Sequence, residues 1–229
     1  MRALTIIFCL TVGLVMTLPT AARASFLVQN PSFESPAEGS GNFAAVVPTN
    51  WSATDPGNNV RVIDKNFNSG NTVPGNVTGN QAVIIGVDTV GTNQGTDLYQ
   101  SIGTSAGLTS LTLTVDAAHR VDSFVLVDSF TLGIWQDTDA NGIPDSPLAT
   151  VVVPAASLTA SFQPFSVTAL SVPAGSIYIR FTAADSGTTS IEQALLDNVS
   201  LVEGPAPEPA SMGLLLLGGA ALLGRRRKV

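Results

Sequence analysis

Leu108-Thr109-Ser110-Leu111-Thr112-Leu113-Thr114-Val115-Asp116-Ala117 is the stretch that decides the fold. Side chains alternate with a period of two along an extended chain, so Leu111, Leu113 and Val115 point one way, and Thr112, Thr114 and Asp116 the other. The segment predicts a strand with one buried and one wet face, the habit of antiparallel sheets. Ile177, Ile179 and Phe181 repeat the pattern against Tyr178 and Arg180.

Outward from these two runs, further short runs rich in Val, Ile and Thr follow at sandwich-like spacings. Phe26-Leu27-Val28 opens the series. Asn42 to Val47 and Trp51 to Ala53 flank a Pro48-Thr49-Asn50 turn, and Val60 to Asp64 and Gln81 to Val87 enclose a Gly/Asn-rich loop, Asn66 to Asn80. Leu98 to Ile102, Phe124 to Gln136, Ala149 to Val153, Phe162 to Val167 and Ala194 to Val202 complete the strands. The middle of the chain shows neither a helical period nor an internal repeat. Many strands joined by long irregular loops predict an all-β jelly-roll β-sandwich rather than an up-and-down barrel.

Composition bounds what such a domain can do. Between Ser25 and Gly204 there are sixteen acidic side chains against four cations, Arg61, Lys65, Arg120 and Arg180, a net charge of −12. The −7 of the whole chain hides this, because its other six cations lie near the two ends. A domain so charged repels nucleic acid and anionic membrane surfaces. Cys9 is the only cysteine, so the domain must rely on its core rather than on disulfides, and about 180 residues suffice to build one.

Both ends read as targeting segments. Arg2 begins a thin positive region, Leu4 to Leu18 is almost wholly apolar, Pro19 breaks it, and Ala22-Arg23-Ala24 offers a small-x-small cleavage pattern before Ser25. Residues 1–24 therefore read as a signal peptide, with a helix in its apolar run, that signal peptidase cuts between Ala24 and Ser25. Cys9 follows Phe8 within the apolar run, which does not suit lipid attachment. At the other end, residues 205–229 hold a Pro-rich spacer with Pro207-Glu208-Pro209, then an uncharged run of 15 residues, Ala210 to Gly224, and Arg225-Arg226-Arg227-Lys228. As a helix the run spans roughly 22 Å, short of the ~30 Å hydrocarbon core, which suits a temporary stop in the inner membrane better than a permanent anchor. The cations stay cytoplasmic, so everything before Ala210 lies across the membrane. The three parts in this order closely resemble the PEP-CTERM sorting signal of Gram-negative bacteria. That resemblance implies removal of the tail by an exosortase, release to the cell surface or beyond, and association with exopolysaccharide-producing cells.

The domain itself resembles the galactose-binding-like superfamily at its two ends. Val28-Gln29-Asn30-Pro31-Ser32-Phe33-Glu34, Trp51, and Ala194-Leu195-Leu196-Asp197-Asn198-Val199-Ser200-Leu201 carry the likeness. Where relatives hold a structural calcium, the ion lies where the first and last strands meet, and the matching carboxylates here are Glu34 and Asp197. The same two residues have a plainer reading, in which Glu34 binds nearby backbone and Asp197 finishes a turn or pairs with Arg180. Trp51 matches a core position of the superfamily.

A second calcium candidate comes from spacing alone. In Asp137-Thr138-Asp139-Ala140-Asn141-Gly142-Ile143-Pro144-Asp145, five side-chain oxygen donors fall within nine residues. Asp137, Asp139, Asn141 and Asp145 would converge on one hard cation as the loop curls at Gly142. Leu148 replaces the bidentate Glu of an EF-hand-type loop, and the same residues also suit a polar hairpin tip. For ligand binding, Trp135 beside this loop is the candidate aromatic platform. No catalytic constellation accompanies the lone His119, and nothing selects two of the many carboxylates for glycoside hydrolysis. The expectation is a non-enzymatic, surface-sorted protein with a structural or adhesive role in the extracellular matrix. A carbohydrate-binding module acting on exopolysaccharide and an extracellular hydrolase are its rivals.

Overall fold

The computed structural model describes residues 26–54, 60–70, 72–87, 96–121, 129–183 and 192–204. The signal segment with its Ala24–Ser25 cut, the sorting tail, both terminal helices expected there, and residues 124–128 of one expected strand lie outside these. Nine strands lie among the described residues: β1 (Phe43–Ala44), β2 (Ser52–Ala53), β3 (Val60–Asp64), β4 (Gln81–Val87), β5 (Thr96–His119), β6 (Ser129–Asp137), β7 (Ser146–Pro154), β8 (Gln163–Ala183) and β9 (Glu192–Glu203). All pairings are antiparallel, in the order β1-β3-β4-β9-β5-β8-β6-β7, with β2 on β5. The only helical segments among the described residues are the 3₁₀ turns Phe67–Gly70 and Ala155–Ser157. The protein is thus an all-β jelly-roll sandwich.

Two departures from the sequence reading explain how one ladder makes two layers. Leu98 to Ile102 and Leu108 to Ala117, expected as separate strands, are parts of the single β5, and Phe162 to Val167 joins Ile177 to Ala183 in β8. The glycines between them act as bends rather than turns. Gly103, Gly107 and Gly175 take φ values of +127°, +101° and +137°, which side chains resist, and the β5–β8 register slips between Ser101 and Gly103. The late part of β5 pairs with β9, whereas the late part of β8 pairs with β6, so the two long strands serve both layers. Phe26 to Val28, also expected as a strand, forms no ladder; its backbone-to-backbone bond runs from the Leu27 amide to the Ile102 carbonyl, 3.3 Å.

Alternation places the core as expected. Leu111, Leu113, Val115 and Ala117 of β5 join Val83 and Ile85 of β4, Phe130, Leu132 and Ile134 of β6, and Ile177, Ile179 and Phe181 of β8 in one buried cluster. Each large side chain so placed contributes about 1.5–3 kcal/mol. Trp51 is core too, 5.1 Å from the Phe33 ring and 5.8 Å from Phe181, and its indole donates to the Asn30 carbonyl. The Asn66 to Asn80 loop lays Phe67, Val73 and Val77 over Ile63, Ala82, Ile84 and Leu195, burying the second face of β3, β4 and β9. That is why β4 reads as a near-continuous apolar run (QAVIIGV) rather than an alternating one.

Candidate functional site

The acidic loop connects β6 to β7. The Asp145 amide donates to the Gln136 carbonyl at 3.1 Å and closes the hairpin base, while Ala140 and Gly142, at φ 58° and 86°, turn the chain back on itself. The Asp137, Asp139 and Asp145 carboxylates come together, each offering an oxygen within 4.8 Å of the others. Their other contacts are local. Asp137 accepts the amides of Asn141 (3.3 Å) and Gly142 (2.8 Å), Asp139 accepts both nitrogens of Asn141, and Asp145 accepts the Thr138 amide and hydroxyl. The Asn141 side-chain oxygen takes the Ile143 amide at 2.7 Å. Burial pushes the Asp137 carboxyl up, but hydrogen bonding, led by the amide of Gly142 and joined by those of Asn141 and Ala140, outweighs it and leaves its pKa below the ordinary value. An all-oxygen donor set of this kind fits Ca²⁺. Leu148, at the place of the missing Glu, packs against the core and offers no carboxylate.

Beside the loop, the outward face of β5, β8 and β6 carries a network that the sequence reading did not foresee. The register sets Tyr99 opposite Arg180, Arg180 opposite Gly133, and Tyr178 opposite Trp135. Arg180 binds Asp97 through two parallel bonds, Nε to Oδ1 at 2.9 Å and Nη2 to Oδ2 at 2.5 Å, and Thr182 adds its hydroxyl to Oδ1 at 2.6 Å. The same guanidinium lies 4.6 Å from the Trp135 ring centre and donates to the Pro144 carbonyl of the acidic loop. Burial, together with the nearby Asp137 carboxylate, raises the pKa of the Tyr178 phenol. Gly133 makes room for the indole: a Cβ there would stand 2.5 Å from Trp135 Nε1. Trp135 is accordingly half-buried beside the loop, as expected, but a cation covers part of the ring. The signal available in the sequence was that Arg180 is one of four cations in the domain and sits at a wet strand position; its partner Asp97 was legible only from register.

Glu34 and Asp197 lie elsewhere. Glu34 accepts the amides of Asn80 (2.8 Å) and Gln81 (2.9 Å), and Asp197 those of Thr78 (2.6 Å) and Asn198 (2.7 Å), so both bind the end of the Asn66 to Asn80 loop. Asp197 is 1% exposed. Burial pushes its carboxyl up to about 6 against those two amides, with Asp116 and Glu34 adding repulsion. Arg180, offered as a partner for Asp197, pairs with Asp97 instead. The lone His119 is engaged locally, its Nδ1 donating to the Arg120 carbonyl at 2.5 Å.

The family model of the PEP-CTERM protein-sorting motif matches residues 205–228, the tail read from composition above. Comparison with curated proteins finds no match. Among solved structures, a Stig cyclase from Fischerella sp. TAU, in complex with (3Z)-3-(1-methyl-2-pyrrolidinylidene)-3H-indole, is 19% identical over 81% of this chain and 100% of that one, at a TM-score of 0.62. The carbohydrate-binding module TmCBM61, solved with β-1,4-galactotriose, is 16% identical over 79% of this chain and 99% of that one, at 0.50. An arabinose-bound α-L-arabinofuranosidase is 11% identical over 79% of this chain and 27% of that one, at 0.52. At such identities the likeness is one of fold. The chain therefore carries a PEP-CTERM sorting motif behind a jelly-roll β-sandwich of the kind seen in carbohydrate-binding modules.

Proposed function

We propose that this is an exported, non-enzymatic protein that an exosortase delivers to the cell surface or extracellular space, where its jelly roll has a structural or adhesive role in the polysaccharide matrix. Signal peptidase cuts between Ala24 and Ser25, the Ala210 to Gly224 segment holds the chain briefly in the inner membrane, and the exosortase acts at Pro207-Glu208-Pro209. The observation that carries this reading is the sorting-motif match over 205–228, directly after the last strand residue, Glu203. Intact masses from membrane and supernatant fractions test it. The released form should begin near Ser25 and lack the residues after about Pro209, and replacing Pro207, Glu208 and Pro209 by alanine should trap an uncut membrane species. Release of that variant at the parental rate would refute the reading.

Binding of exopolysaccharide is the second reading, supported by the fold shared with a galactotriose-binding module and by Trp135 and Tyr99 on one outward face. A glycan array with the Trp135→Ala variant as control decides it: no parental signal above that control removes it. Calcium belongs to either reading as a structural ion. Asp137, Asp139, Asn141 and Asp145 would hold it, and its charge would offset three carboxylates that otherwise repel one another. Glu34 and Asp197 are the second place for such an ion.

A further inference from the structure

The two ends of the domain leave the fold side by side. The Phe26 amide donates to Glu203 Oε1 at 2.8 Å, although 177 residues separate them. The Phe26 ring lies 3.6 Å from where a Cβ on Gly103 would stand, and the Leu27 amide is tied to Ile102. One residue beyond Glu203, the Gly204 amide donates to the Ser110 carbonyl at 2.8 Å. The passage there is so narrow that a Cβ on residue 204 would collide with the Ser110 hydroxyl and stand 3.1 Å from Thr109 Oγ1. The chain is thus pinned up to Gly204, and only Pro205 and Ala206 separate the pin from Pro207.

Three residue steps at about 3.3 Å each keep Pro207 within roughly 10 Å of the folded surface. An enzyme that acts at the motif must therefore work within this distance of the folded domain, whose last residues, Glu203 and Gly204, are committed to β5. On the processing scheme proposed above, we infer that Glu203 is a positioning residue for tail removal. By clasping Phe26 beside the Gly204–Ser110 bond, it holds the base of the tail to the domain, so the sorting enzyme gains full reach of the motif when the end of β9 parts from β5. The clasp also brings the start of the mature chain and the base of the tail to one place on the sandwich.

Pulse–chase with intact-mass detection, in cells that carry the exosortase, measures the rate of tail removal. Three variants are compared with the parent: a Gly-Ser-Gly-Ser-Gly-Ser insertion between Gly204 and Pro205, Glu203→Ala, and alanine at Pro207, Glu208 and Pro209. The insertion leaves every domain contact in place and should speed tail removal several-fold; Glu203→Ala should speed it in the same direction. An insertion variant cut at the parental rate or more slowly overturns the inference, even when Glu203→Ala is faster, since that change would then reflect domain stability alone. Should Glu203→Ala fail to fold, the insertion carries the test. Parental release of the triple-alanine chain sinks the sorting scheme itself, whereas a trapped triple-alanine chain beside an unaccelerated insertion sinks only the clasp.

Discussion

Asp197 makes the stability of this domain depend on pH in a direction opposite to that of most buried acids with good partners. Its carboxyl is pushed up from 3.8 to about 6, so the folded state holds the proton more tightly than the unfolded chain does. The stability this contributes is complete below about pH 4 and is lost as pH rises through about 6. At 1.36 kcal/mol per pH unit the ceiling is roughly 3 kcal/mol, and solvent near the site trims it to about 2 kcal/mol. At roughly 2–4 °C per kcal/mol for a domain of this size, Tm should fall by about 4–8 °C between pH 4 and pH 7 in chelator from this group alone. Asp197→Asn isolates it. The variant keeps one acceptor for the Thr78 and Asn198 amides and loses the other, a constant cost, but it has nothing to titrate. Parent and variant should therefore differ by an amount that changes by about 2 kcal/mol across that range, in the variant's favour at pH 7. Parallel melting profiles would show that burial does not hold the proton on Asp197. If Glu34 and Asp197 take Ca²⁺, millimolar calcium should flatten the parent's fall and leave the variant's profile unmoved.

Arg180→Ala leaves the nearly buried Asp97 carboxylate without its cation and should cost about 3–5 kcal/mol in denaturant unfolding; Arg180→Lys should recover only part, because an ammonium cannot make the two parallel bonds. Gly133→Ala sets a Cβ 2.5 Å from Trp135 Nε1 and 2.9 Å from Thr150 Cγ2, so it should cost about 1–3 kcal/mol and shift the tryptophan emission, whereas unchanged emission would mean that the indole does not rest there. Millimolar calcium should raise the parent's melting temperature through ligand linkage, and Asp139→Ala should abolish the part that comes from the acidic loop; identical melts in calcium and in chelator would leave that loop an ordinary solvated turn.

Legibility differed from element to element, for physical reasons. Strand type survived because the alternation in Leu111 to Asp116 reports which face is buried, and burial is what selects these residues. Strand boundaries at Gly103, Gly107 and Gly175 did not, because a glycine at positive φ serves equally in a turn and in a bend. Only the partner strand tells the two apart. In the acidic loop, Asp137, Asp139 and Asp145 offer oxygens within 4.8 Å of one another, since eight residues between two paired strands leave few other paths. The outer-face network stayed hidden: Asp97 and Arg180 are 83 residues apart, and nothing local to either marks the other.

Local chemistry by itself settled the strand-rich class, the acidic character of the domain, the acidic loop and the order of spacer, apolar run and basic end in the tail. Each depends on residues near in sequence, where period, charge and covalent reach act directly. The tertiary structure decided what depends on register and closure. It carried β5 and β8 through both layers, set Arg180 between Asp97 and Trp135, gave the second face of β3 and β4 a loop to bury it, and closed Glu203 onto Phe26. Strand pairing fixes such meetings through hydrogen bonds between distant segments, and a side chain carries no record of the neighbour that those bonds will bring to it.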